Sequence, residues 1–158
     1  MELTELIEDE AGMDRDQIFE LQGSATYRRL ERDALDRCLS GETRPVIATG
    51  GGLVTEPDTF ALLRRRAFTV WLKATPEEHW QRVVDQGDRR PMRNRPQAMA
   101  ELERLWAQRA PLYSGADLTV ETSGRSVDEV ADYLCAALPR FASSGSRDSR
   151  VRPNRQEN

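Results

Sequence analysis

Three consecutive glycines, Gly50, Gly51 and Gly52, follow a short apolar run at 46–48. Glycines in series lose more backbone entropy on folding than a plain turn requires. They suit a place where bare amides come close to a polar or anionic ligand. In an open parallel sheet, ligands sit beyond the carboxyl ends of strands, where this triplet falls if 46–48 is a buried strand. The alternative is a glycine-rich hairpin or a flexible loop. Guanidinium groups form the second candidate set. Arg28 lies on a helical stretch, placed to look toward the end of the neighbouring strand, and Arg109 stands near the end of another. The run at 87–96 carries Arg89, Arg90, Arg93 and Arg95 with two prolines and almost no apolar side chain. It reads either as a solvated loop or as a flap that closes arginines over phosphate. Lys73 is the one lysine among 23 Lys and Arg residues, so any lysine-dependent chemistry rests on it.

The elements that position these residues follow from periodicity and caps. Met1 to Leu3 reads as the last stub of a strand, and a helix over 5–10 stops at Gly12. A short helix over 14–21 breaks at Gly23. A longer one over 25–39 carries Tyr27, Leu30, Ala34, Leu35 and Cys38 on one stripe, with Arg28, Arg29 and Arg32 off it. A helix is expected over 58–65 and a buried strand over 67–72, whose residues are apolar, β-branched and aromatic. Thr75, Pro76 and Glu78 make a helix start, and Trp80, Val83 and Val84 point that helix inward. A helix over 97–109, a strand over 118–121 and a helix from a Ser126–Glu129 capping box to about 138 complete the set. Strands alternating with helices specify a parallel sheet with helices on both faces. Residues 1–138 form one domain, and the polar stretch 139–158 is expected to be disordered.

Composition excludes several classes. A formal net charge of −4 with 38% hydrophobic and 32% charged residues gives no nucleic-acid footprint. No apolar run approaches a membrane span, and the acidic start is no signal peptide. Cys38 and Cys135 lack metal-ligand spacing and read as buried thiols of a cytoplasmic protein. His79 reads as a surface residue.

Taken together, Tyr27-Arg28-Arg29-Leu30-Glu31, Ala48-Thr49-Gly50-Gly51-Gly52, Arg90-Pro91-Met92, Arg109-Ala110-Pro111-Leu112-Tyr113 and Thr122-Ser123-Gly124-Arg125 resemble the motifs of shikimate kinases. These are small P-loop kinases that phosphorylate a hydroxyl of shikimate. The resemblance covers roughly 1–138. It implies a three-layer α/β fold, P-loop NTPase-like, here lacking the first strand and the phosphate loop. It also implies that Arg28 and Arg109 pair with a ring carboxylate, a task for guanidinium forks. Gly50, Gly51 and Gly52 would offer amides to the same ligand. Arg90 would be the catalytic lid arginine reaching the transferred phosphate, and Arg125 would lie beside a nucleotide base. The family's cofactors are ATP and Mg2+.

The departures point further. The family's Gly-x-x-x-x-Gly-Lys-Ser/Thr loop is absent from this sequence. Its Asp-x-Asp pair is matched here by Glu2 and Thr4. Glu2 could hold magnesium through a water, whereas Thr4 is no general base near neutral pH. The run over 68–92 resembles another branch more closely, the shikimate-kinase-like effector domain of helix-turn-helix transcriptional regulators that respond to benzoyl-CoA. The first expectation is therefore a catalytically impaired domain that senses an aromatic carboxylate or acyl-CoA, without binding nucleic acid or membrane itself. The alternatives are an ATP-dependent shikimate kinase with a missing N-terminus, or a decayed fragment of one. In the resembling fold the absent strand is central, lying between 46–48 and 68–72. Two strand edges would then face a gap.

Overall fold

Leu3 and Ile7, one helical turn apart, begin the core of this computed structural model, which describes residues 1–42, 45–85 and 95–138. They lie on helix α1 (Leu3–Ala11), which ends where Gly12 takes a left-handed φ of 63° and donates its N–H to the Glu8 carbonyl. Helix α2 (Arg15–Ser40) starts at a capping box in which Asp14 and Gln17 each accept the other's backbone N–H. At Gly23 the backbone turns to φ 83° and ψ 164°. These angles are not helical, so the helix breaks at Gly23 as expected and α2 consists of two helical stretches, with Phe19 stacked on Tyr27 across the break at 4.7 Å. Tyr27, Ala34 and Leu35 are buried on the expected stripe, and Leu30 and Cys38 are half-buried. Leu3, Ile7, Ile18, Leu35 and Leu53 are almost fully enclosed. Each contributes roughly 1.5–3 kcal/mol of burial free energy.

The sheet comes in two pieces. Strands β1 (Val70–Lys73) and β2 (Leu118–Glu121) pair in parallel, with Val70 opposite Leu118 and Lys73 opposite Glu121. The Asp117 carboxylate anchors their start, accepting the N–H and the hydroxyl of Thr69, both at 2.8 Å. The second piece is a single parallel bridge between Glu2 and Ala48. There Leu3 N–H donates to the Ala48 carbonyl and Ala48 N–H to that of Met1, both at 2.9 Å. Among the described residues β1 pairs with β2 alone.

Two expectations of buried strands are corrected here. The run over 46–48 makes only its bridge at Ala48, and Val46 is 83% exposed. The run over 67–72 contributes β1, but Leu72 is 55% exposed. An apolar run becomes a buried strand only when neighbours cover it, and one edge of each piece has none among the described residues.

Helices flank these strands. Pro57 opens α3 (Pro57–Arg66), and Thr75 caps α4 (Pro76–Asp85) by accepting the Glu78 N–H at 3.3 Å. The Glu78 side chain does not close the box. It accepts instead from the Ser123 hydroxyl and, at 3.1 Å, from the Gly124 N–H, tying the turn after β2 to α4. Trp80 is buried and Val84 half-buried on α4, and His79 is exposed. Helix α5 (Arg95–Tyr113) runs past the expected end at 109 and includes Pro111. Its Trp106 indole donates to the Ala74 carbonyl at 3.2 Å. The expected Ser126–Glu129 box starts α6 (Val127–Ala137), of which only Val130 is buried. Neither cysteine is a buried thiol: Cys38 is half-buried and Cys135 exposed, because α6 turns most of its surface to solvent. Among the described residues no helix is long and apolar enough to cross a membrane. The expected flap over 87–96 falls mainly, and the tail over 139–158 entirely, outside the described residues.

Candidate functional site

The glycine triplet turns the chain from the Ala48 bridge into a 3-10 turn, Leu53–Thr55. Its three carbonyls are all tied back. Leu53 N–H donates to the Gly50 carbonyl at 3.1 Å, and the Thr55 N–H and hydroxyl donate to that of Gly52 at 3.0 and 2.6 Å. The Gly51 carbonyl accepts from the Tyr113 hydroxyl at 2.7 Å. Among the described residues no acceptor takes the N–H of Gly50, Gly51 or Gly52. With the acceptors engaged and the donors open, the loop suits an oxygen-rich or anionic ligand.

Side chains from three helices converge on it. A Cβ added at Gly52 would lie 2.5 Å from Arg28 Nη2, and one added at Gly51 would lie 3.7 Å from Arg109 Nη1. One added at Gly50 would meet Glu31 Oε1 at 3.9 Å and Thr4 Oγ1 at 4.0 Å. Glycine is needed most at Gly52, where the guanidinium occupies the space of a side chain. Arg28 Nη1 donates to Glu31 at 2.7 Å, and its Nε faces Glu56 at 3.4 Å. Glu31 is only 2% exposed. Burial holds its carboxyl above the usual range, Arg28 pulls it back down, and Glu56 adds a smaller upward push. Among the described residues Arg109 pairs with no carboxylate, although it is half-buried. Burial also raises the Tyr113 phenol, opposed by the positive charge of Arg109.

Of the sequence-derived candidates, Arg28, Gly50, Gly51, Gly52 and Arg109 therefore stand together, with Thr4 beside them. Others stand apart. Glu2 is exposed at the start of α1, and its side chain makes no cap. Arg125 is exposed in the turn before α6, with its guanidinium over the Tyr133 ring. Arg90 lies outside the described residues. Lys73 is bound to Glu121 at 2.9 Å on the strand pair, consistent with a surface lysine.

Sequence reasoning missed Glu31, Glu56 and Tyr113 as site members. Glu31 sits beside a stripe of core residues; its signals were its place three positions after an arginine and its membership of the Tyr27–Glu31 motif, as Tyr113 closes the Arg109–Tyr113 motif. A shallow cavity of about 260 Å³ is lined by Thr4, Glu8, Asp14, Arg15 and Asp16. It shares only Thr4 with the glycine loop, and its three carboxylates repel an acid.

A family model described as "Shikimate kinase" matches residues 1–139. A shikimate kinase from Synechococcus sp. (strain JA-3-3Ab) is 40% identical over 138 residues, 84% of this chain and 72% of its own length. One from Francisella philomiragia is 38% identical over 133 residues, 84% of this chain and 75% of its own. Among solved structures, the Acinetobacter baumannii shikimate kinase in complex with shikimate superposes with a TM-score of 0.77. It is 27% identical, with 89% of this chain and 78% of that chain covered. The Aquifex aeolicus enzyme gives 0.73 at 28% identity, covering 92% and 82%. These neighbours share the P-loop NTPase-like α/β fold with a parallel sheet.

Proposed function

We propose, from the premise that this chain belongs to the shikimate kinase family, that residues 1–138 hold the acid-binding half of a shikimate kinase. One observation carries the reading: a loop with every carbonyl engaged and every amide open, flanked by Arg28 and Arg109. A ring acid would set its carboxylate against the guanidinium groups, as forked donors favour. Its hydroxyls would accept from the loop amides. Arg109 offers the more available charge, while Glu31 and Glu56 hold Arg28 in place.

The family uses ATP and Mg2+, and the residues present do not fit that pair. The sequence has no phosphate loop, and its one lysine is engaged with Glu121. Magnesium at a kinase site takes one or two carboxylates together with the substrate's phosphates, and of the pair Glu2 and Thr4 only Glu2, exposed at the start of α1, is a carboxylate. Thr4, at the position matched to the base, has a hydroxyl that does not accept a proton near neutral pH. No phosphoryl-transfer step is assigned to these residues. As part of the proposal, a parallel strand leading to a phosphate loop would run between Ala48 and β1. The exposed Val46 and Leu72 and the open edge of β1 support this.

Thr4 favours a second reading, the effector domain of a transcriptional regulator, since a sensor of benzoyl-CoA needs no base. Relatives named shikimate kinase at 36–40% identity weigh for the kinase reading. Calorimetry on the 158-residue chain tests the assignment. Shikimate should bind, and Arg28→Ala and Arg109→Ala should each weaken it about tenfold or more. If both variants bind as the parent does, the site is misassigned. Tighter binding of benzoyl-CoA than of shikimate would select the effector domain.

A further inference from the structure

In a planar trans peptide the carbonyl and the following N–H point in opposite directions. Holding one carbonyl of the glycine loop therefore aims the next amide. The Leu53 N–H on the Gly50 carbonyl aims the Gly51 N–H from within the loop itself. The peptide between Gly51 and Gly52 has no such local tie. Its carbonyl is held by the Tyr113 hydroxyl, 62 residues away in sequence, at 2.7 Å. A glycine on each side leaves no side chain to oppose a flip of that peptide. Tyr113 is itself held, its ring stacked on Trp71 of β1 at 5.4 Å and 16°. It also shares α5 with Arg109, one helical turn away.

We propose that Tyr113 is a positioning residue of the acid site, its hydroxyl holding the Gly51 carbonyl so that the Gly52 N–H is presented beside Arg28 as a ligand donor. The proposal rests on the acid-site reading and deepens it. Tyr113 does not touch the reacting atoms; it fixes one amide and, through Trp71, links the loop to the end of the strand pair.

The test uses the 15N-labelled full chain as parent and as Tyr113→Phe, which keeps the ring and removes only the hydroxyl. Without ligand, Tyr113→Phe should shift the Gly52 amide resonance and bring it into millisecond exchange, leaving Leu53 and Thr55 unmoved. With shikimate, the Kd should rise about 5- to 10-fold, as expected for one misplaced donor. Trp71→Leu, which keeps the hydroxyl but loses its platform, should give the Gly52 signature in weaker form. An unchanged Gly52 amide in Tyr113→Phe overturns the proposal, as does a uniform shift of resonances across the chain with no selective effect at Gly52. If the parent itself fails to bind shikimate, the acid-site reading fails separately. The ligand-donor role of the Gly52 N–H then fails with it, and the Gly52 amide reports only whether Tyr113 holds the loop.

Discussion

Alanine scanning of the glycine triplet should give a graded series rather than three equal defects. At Gly50 an added Cβ would meet its nearest neighbours at 3.9 and 4.0 Å, ordinary van der Waals contact. At Gly51 it would come within 3.0 Å of the Tyr113 hydroxyl. At Gly52 it would lie 2.5, 3.1 and 3.2 Å from Nη2, Nη1 and Cζ of Arg28, so the guanidinium, the far end of a flexible side chain, has to shift. Its shift strains the 2.7 Å bond to Glu31, a carboxylate 2% exposed. A hydrogen bond to a charged group is worth about 1.5–3 kcal/mol, and a buried charge left unpaired costs more. Arg28 retains 26% side-chain exposure, which tempers the loss. Gly52→Ala should thus lower stability by about 1–2 kcal/mol and weaken shikimate binding about tenfold or more. Gly51→Ala should fall between, and Gly50→Ala should stay near the parent. Gly124→Ala serves as a control, with a positive φ of 68° but nothing within 4 Å. It should cost about 1 kcal/mol of strain and leave binding intact. Thermal unfolding with parallel calorimetric titrations measures all four. Equal binding defects at Gly50 and Gly52, or full binding in Gly52→Ala, would refute the placement of Arg28.

Two further outcomes follow from Glu31 and from the divided sheet. Because Glu31's folded pKa is raised by burial above its ordinary 4.5, its stabilising contribution is complete below that value and is lost as pH rises through the folded pKa. Glu31→Gln should flatten that decline in urea titrations between acid and neutral pH; an unchanged slope would place the dependence elsewhere. Hydrogen exchange should show protection concentrated in α1 and α2, with amides on the edge of Val70–Lys73 away from Leu118–Glu121 exchanging freely. Strong protection on both edges of that strand in a monomer would mean that the two half-sheets close on each other.

Local signals were readable from sequence wherever the physics is local. Gly12 as a helix stop, the Ser126–Glu129 box, the α2 stripe and the strand at Leu118–Glu121 all depend on neighbours within a turn or on simple periodicity. What failed depends on distant partners. The run at 46–48 and Leu72 are apolar enough for a core, yet burial requires a flanking strand that the described residues do not supply. Thr75 caps α4 as its pattern says, but Glu78 finds better donors in Ser123 and Gly124, over forty residues away. The site divides along the same line. Gly50, Gly51, Gly52, Arg28 and Arg109 stood out by residue type, whereas Glu31 and Tyr113 matter only because a helix brings each of them to the loop.

The most direct test of the central claim compares shikimate with its methyl ester on the same 15N-labelled chain. The ester keeps the ring and hydroxyls but removes the charge that Arg28 and Arg109 are proposed to bind. Shikimate should shift the amides of Gly51 and Gly52 in a saturable titration, and the ester should bind at least about tenfold more weakly. Equal affinity for acid and ester, or shifts that bypass both glycines, would contradict a carboxylate clamp at this loop.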